Sequence, residues 1–320
     1  MISNRITDIS QLFPQQESQT TNQILMIRPV DFKFNEQTAG NNKFQQASGQ
    51  ADVQTQALKE FDDFVDLLRL HELEVIVIND TLSPETPDSI FPNNWISFHK
   101  SGEIFLYPMF SVNRRLERRQ DIIDQLGQAF KVNKVTDLSA HEAEGVFLEG
   151  TGSMVLDREN KIAYACLSLR TDEKVLEEFC QKSGYMALTF DATDASGFPI
   201  YHTNVMMCVG DQFAVVCLES VPNEEQRKKL TRSLHANGKE IIAISLDQMN
   251  HFAGNMLQLK NNAGKHLLVM SEQAYSSLTK TQVNALEKYS KLVFSPLNTI
   301  EKNGGGSARC MLAEIHLAKK

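Results

Sequence analysis

The sequence holds no apolar run approaching the ~20 residues that cross a bilayer. Its opening, MISNRITDISQLFPQQESQTTNQ, lacks the apolar core of a signal peptide. None of the eight histidines falls in an HExxH or HxH pattern, and no cysteine pair has metal-knuckle spacing, so no metal is expected. Basic residues are in the minority, with 32 Lys and Arg against 40 Asp and Glu. The net charge of -8, and a single short basic cluster in NRRLERR at 113–119, argue against nucleic acid or a membrane surface as partner. A dinucleotide fingerprint is missing too. EGTGSM at 149–154 has the glycines of a partial one but opens a hairpin pattern rather than a helix, which disfavours NAD.

What is present is a chain of 320 residues, 42% hydrophobic, ample for a buried core. Its five cysteines read as reduced thiols in a cytoplasmic protein. Cys166, Cys208 and Cys217 sit in apolar strand-like runs and Cys180 on a helix-like stretch, all suited to core packing. Cys310 stands apart: it follows three glycines in NGGGSARC and precedes the apolar MLAEIHL. Glycines there allow close approach of backbone to a ligand, or movement of a loop; a plain flexible connection is the bland alternative.

Four segments read as hairpins, with small or polar opening residues, an apolar strand, a Gly, Asp or Asn turn and a second apolar strand. They are NNWISFHKSGEIFLYPM, GTGSMVLDRENKIAYACLSL, TNVMMCVGDQFAVVCLES and GNMLQLKNNAGKHLLVMS, and SARCMLAEIHL begins a fifth. The opening positions Asn94, Gly152, Asn204, Asn255 and Arg309 are separated by 58, 52, 51 and 54 residues. So constant a period suggests a propeller or array. Helix patterns lie between the hairpins, in RLERRQDIIDQLGQAF, DEKVLEEFCQKSG, NEEQRKKLTRSLHANG and TKTQVNALEKYS. The last unit is completed from the N-terminal side by QILMIRPV, a helix in ALKEFDDFVDLLRLHE, and LEVIVIND. The expected fold class is α/β, a five-fold pseudosymmetric α/β propeller of ββαβ units. It forms a single catalytic domain over 1–320, with 1–22 as a loose polar lead-in. The competing pattern is a doubly wound sheet.

In a ring of five units the opening residues converge on one axis. That brings together Asn94, Glu149, His202 with Asn204, Asn255 and Cys310. A thiol, an imidazole, a carboxylate and several amides are a set capable of nucleophilic catalysis. Each also has a structural reading, as a turn cap or hydrogen-bonded core residue; the coincidence in phase favours the catalytic one. The polar segment NEQTAGNNKFQ, 35–45, is placed to close over such a site.

These motifs, EG-G, HxN, SxRT and the terminal GGGSARCM, in that order and over nearly the whole chain from MIRPVDF, resemble the guanidino-group-modifying (pentein) superfamily. The resemblance is nearest to its citrulline utilisation hydrolase, amidinotransferase-like branch, and it implies the five-unit propeller. Carried over by motif, it implies Cys310 as nucleophile, His202 as general acid and base, and Glu149 as the acid beside it. Arg170 in SLRT would bind a substrate α-carboxylate, with Arg114 as a second contact. Members that bind a guanidinium hold it with aspartates, and the corresponding positions here are Asn94 and Asn204. Two missing carboxylates leave a buried cation's desolvation uncompensated, whereas amides donate and accept and so suit a neutral ureido group. The resemblance therefore implies hydrolysis of citrulline to ornithine, ammonia and CO2 without a cofactor, on a small amino-acid substrate, with homo-oligomerisation open. An arginine-type deiminase or dihydrolase, an amidinotransferase, and a non-catalytic ligand-binding protein are the alternatives.

Overall fold

The computed structural model describes residues 17–47 and 52–320. Fifteen strands form five separate three-stranded sheets among these residues. Four of them follow the hairpin segments: β3 Ile96–Phe98, β4 Glu103–Leu106 and β5 Lys134–Asp137; β6 Val155–Asp157, β7 Ile162–Cys166 and β8 Met186–Phe190; β9 Met207–Val209, β10 Phe213–Val216 and β11 Glu240–Ala243; β12 Leu257–Lys260, β13 His266–Ser271 and β14 Lys291–Ser295. The fifth joins the two ends of the chain. In it β1 Gln23–Arg28 lies parallel to β2 Glu74–Asn79 and antiparallel to β15 Ala313–Glu314, with Ile24 opposite Glu314 and Leu25 opposite Ala313.

Every sheet repeats one plan, an antiparallel inner pair and a parallel outer pair. A parallel pair needs a crossover, and the helices supply it. The central strands are covered on both faces and so read as unbroken apolar runs: IAYAC and FAVV are buried throughout. Outer strands such as MALTF and KLVFS bury some positions and expose others. Crossover helices bury one stripe. In Glu173–Ser183 that stripe is Val175, Leu176, Phe179 and Cys180, and the helix starts on the Asp172 side chain and stops at Gly184 with φ 76°. This is the five-unit ββαβ propeller that the repeat spacing predicts.

One local feature bears on the site, and one local expectation needs correcting. The segments that open the hairpins are not extended: Gly150–Ser153 and Thr203–Met206 each form one helical turn, and Pro92–Asn94 and Ala308–Met311 form 3-10 turns. Glycine and small polar residues suit such tight turns at the crowded axis. The loose lead-in falls outside the described residues as far as residue 16, and beyond that it is tied down. Gln19 donates to the carbonyls of Leu156 and Val209 at 3.0 Å each and accepts from the Arg158 N–H at 2.7 Å. Glu17 is buried and pairs with Arg158 at 3.1 Å and with Lys161. No helix among the described residues is long and apolar enough to cross a membrane.

Candidate active site

Because each opening segment is a turn, the residue before it projects its side chain off the strand end. Glu149 and His202 hold equivalent positions ahead of Gly150–Ser153 and Thr203–Met206, and Cys310 lies within the 3-10 turn Ala308–Met311. His202 Nε2 meets Glu149 Oε2 at 2.7 Å, with both side chains buried. The second Glu149 oxygen accepts the Phe110 N–H at 3.0 Å, and Arg170 Nη1 stands 3.4 Å from Oε2. Burial raises the Glu149 carboxyl, but Arg170 and the His202 hydrogen bond together outweigh it and hold the group well below the usual carboxylate range. Burial dominates at His202 and pushes the imidazole down to about 4 in spite of Glu149. At neutral pH the ring is therefore neutral. With Nε2–H donated to ionised Glu149, Nδ1 is left as an acceptor.

Cys310 is buried, and its backbone N–H is tied to the Ser307 carbonyl at 3.0 Å. Its Sγ receives two side-chain amides, Asn204 Nδ2 at 3.4 Å and Asn255 Nδ2 at 3.3 Å. Cys310 and His202 line one cavity together with Asn94, Arg114, Arg170 and Asp88. Asn204 lies against the thiol but borders a different cavity of about 20 Å³ behind it.

The two arginines differ. Arg170 lies over the Tyr201 ring at 4.9 Å, and its fork, Nε and Nη2, is spanned by Asn41 Oδ1 of the 35–45 segment. One polar oxygen on the fork marks where a carboxylate fits bidentately. Arg114 is already spent as a strut. It grips Glu117 through Nε and Nη2 at 2.8 and 2.9 Å and donates Nη1 to Asn94 Oδ1 at 2.8 Å. It lines the cavity itself and also orients the asparagine beside it.

The three glycines answer to packing. A Cβ on Gly304 or Gly306 would come within 2.8 or 2.9 Å of the Phe91 ring. Gly305 has φ +64°, and a Cβ there would lie 2.5 Å from Asn42 and 2.8 Å from the Gln45 N–H. The 35–45 segment thus rests directly on the glycine loop, and Asn42 donates to the carbonyls of Gly304 and Gly305 at 3.5 and 3.4 Å. Beneath it the cavity is about 10 Å³, room for about one water. A larger groove of about 460 Å³ lies beside Lys43 and Phe44 of the same segment and includes none of the catalytic candidates.

Sequence reasoning missed Asp88, which lines the cavity, is buried, and leaves Oδ1 without a hydrogen-bond partner. Its other oxygen takes Asn35 Nδ2 at 2.8 Å and the Thr38 hydroxyl at 3.3 Å, and Thr38 also presents its carbonyl to Arg170 at 3.2 Å. The available signal was an acidic residue in DSIFPNNW, six positions before Asn94. Tyr201 was missed as well; its ring lies tilted by 47° against that of His202, centroids 4.7 Å apart, and its hydroxyl donates to the Gly305 carbonyl at 2.7 Å.

Residues 28–317 match the family described as N,N dimethylarginine dimethylhydrolase, eukaryotic. No curated protein matches the sequence. Among solved structures the chain resembles apo ArgZ, an arginine dihydrolase from the ornithine-ammonia cycle in cyanobacteria, with TM-score 0.70 and 15% identity over 92% of this chain and 40% of that one. It therefore spans well under half of full-length ArgZ, but it covers 97% of the isolated ArgZ N-terminal domain solved with substrate, at TM-score 0.69 and 15% identity. A dimethylarginine dimethylaminohydrolase variant in adduct with S-methyl-L-thiocitrulline aligns with TM-score 0.64 and 14% identity over 92% of this chain and 99% of that one. At these identities the structural likeness establishes the fold.

Proposed function

The chain belongs to the family described as N,N dimethylarginine dimethylhydrolase, eukaryotic, and on that premise we propose that it is a cysteine-dependent hydrolase of the C–N bonds of a guanidino or ureido amino acid, with citrulline as substrate and ornithine, ammonia and CO2 as products. The observation that carries the citrulline reading is the amide character of the reacting end. Asn94 faces the cavity with its oxygen held by Arg114, Asn204 and Asn255 donate to the sulfur, Glu149 is committed to His202 and Arg170, and the remaining carboxylate of the cavity, Asp88, is left for the α-amine. A guanidinium beside Asn94 would bring a second cation toward Arg114, whereas a neutral ureido group would not. Asp88 and Arg170, joined through Thr38, offer opposite charges to an α-amine and an α-carboxylate.

In this reading the Cys310 thiol passes its proton to the neutral His202, and the thiolate attacks the ureido carbon. Collapse of the tetrahedral adduct breaks a C–N bond, and His202 delivers the proton to the departing ammonia. His202 then takes a proton from water, which attacks the S-carbamoyl carbon. The C–S bond breaks, and the N-carboxylated amine loses CO2 to leave ornithine. Glu149 orients His202 and stabilises its charged form. Free thiols at all five cysteines accord with a reducing, cytoplasmic setting.

The test is ammonia release from purified protein offered citrulline, arginine and dimethylarginine separately, with amino-acid products resolved by chromatography. Ornithine from citrulline, with the guanidines inert, supports the proposal. Citrulline or ornithine from arginine would replace it with a deiminase or dihydrolase, the reading that the likeness to ArgZ favours. Cys310→Ser abolishes turnover while the far-ultraviolet spectrum is retained.

A further inference from the structure

Asn255 was legible as a repeat position but carried no role. Its side chain is fully buried, and both ends are engaged around the nucleophile. Oδ1 accepts the backbone N–H of Arg309 at 3.0 Å, one residue before Cys310. Nδ2 donates to the Asn204 carbonyl at 3.0 Å and to Cys310 Sγ at 3.3 Å. The carboxamide is thus fixed in one orientation, N–H toward sulfur, and cannot flip without losing the Arg309 bond. Asn204, 106 residues before Cys310, supplies the second donor to the sulfur. A neutral thiol sulfur is a weak acceptor. Two converging amide donors are better matched to a sulfur bearing negative charge, since a hydrogen bond to a charged group is roughly twice as strong as a neutral one. The arginines of the site are aimed elsewhere, Arg170 at Asn41, Thr38 and Glu149, and Arg114 at Glu117 and Asn94.

We infer that Asn255 is a catalytic residue that stabilises, through its fixed amide N–H, the thiolate formed when Cys310 gives its proton to His202, so that neutral dipoles aimed at the sulfur favour that transfer. The inference rests on Cys310 being the nucleophile. It also assigns a reason for the neutral donors at the sulfur: preorganised dipoles hold the anion and add no charge that would disturb binding at the reacting end.

The variant that isolates the effect is Asn255→Asp, which keeps the shape and the acceptor for Arg309 N–H but places a carboxylate oxygen where the donor stood. The probe is iodoacetamide, with Cys310 labelling followed by mass spectrometry as a function of pH. The expected result is a labelling rate at neutral pH lowered about tenfold or more, with the pH midpoint of labelling displaced upward by at least about one unit. In steady-state assays kcat falls while KM is little changed. A purely structural role would lower the melting temperature and leave the midpoint in place, and that outcome would overturn the inference. Asn255→Ala removes the donor without adding charge, and the same midpoint shift, in smaller measure, is expected of it if the aspartate variant does not fold. Full turnover by Cys310→Ser would sink the nucleophile itself. Unshifted labelling in a folded Asn255 variant, with Cys310→Ser inactive, would remove Asn255 and leave the nucleophile standing.

Discussion

Gly152→Ala should cost catalysis more than stability. The added methyl carbon would lie 2.4 Å from Asn94 Nδ2 and 2.8 Å from His202 Nδ1. To regain ordinary contact, the amide must retreat by about 1 Å and the ring by about half that. Neither is free to do so, because Asn94 is held to Arg114 at 2.8 Å and His202 to Glu149 at 2.7 Å. Overpacking of this kind destabilises by ~1–3 kcal/mol. A displacement of about 1 Å in catalytic geometry costs on the order of 10²-fold in rate, or about 2.7 kcal/mol of barrier. The assay is kcat for ammonia release alongside thermal unfolding of the same preparation. The control is Gly145→Ala, which takes a left-handed position, φ 71°, with nothing within 4 Å of the new carbon. It should lose roughly 1–2 kcal/mol of stability and keep its kcat. If Gly152→Ala retained kcat within twofold while losing as much stability as the control, the steric argument for the base and Asn94 would be refuted.

Three further outcomes are expected. Folded His202 takes up its proton near pH 4, and the unfolded side chain does so near 6.5. The unfolded state therefore binds the proton first as pH falls, and the stability of the parent relative to His202→Asn should decline by up to about 3 kcal/mol between pH 6.5 and 4; an unchanged difference in denaturation midpoints across that window would contradict it. Glu17→Ala leaves the buried Arg158 with Glu314 at 3.6 Å as its remaining acidic partner, a loss of about 3 kcal/mol in urea unfolding, and a loss below 0.5 kcal/mol would mean the 17–22 segment is not an anchor. Arg170→Lys removes the planar fork and should raise KM about tenfold or more with a smaller change in kcat; unchanged KM would place the α-carboxylate elsewhere.

Much of this molecule was legible in one dimension because the signals are local. Strand pairs such as β9 and β10 announce themselves by a turn between apolar runs, and their spacing exposes the repeat. The same phase pointed to Cys310, His202, Glu149 and Asn94, and all four meet at the axis, though the turns that present them are helical rather than extended. The 35–45 segment was legible as a polar stretch, and its seat on Gly305 was not.

The amino-acid order by itself determined the ββαβ units, the inward position of the opening residues and the thiol at the end of the glycine run, because pleat, turn and spacing act over a few residues. Tertiary structure alone decided which polar groups would satisfy one another. Arg114 was readable as a residue of the site, and only the fold set its fork on Glu117 and its Nη1 on Asn94. Glu17 was part of a loose lead-in until it met Arg158, 141 residues on. Asn255 became a donor to sulfur only when its carbonyl was pinned by Arg309, 54 residues on. In a low-dielectric interior a polar side chain must find a partner, and local sequence says that it must without saying which.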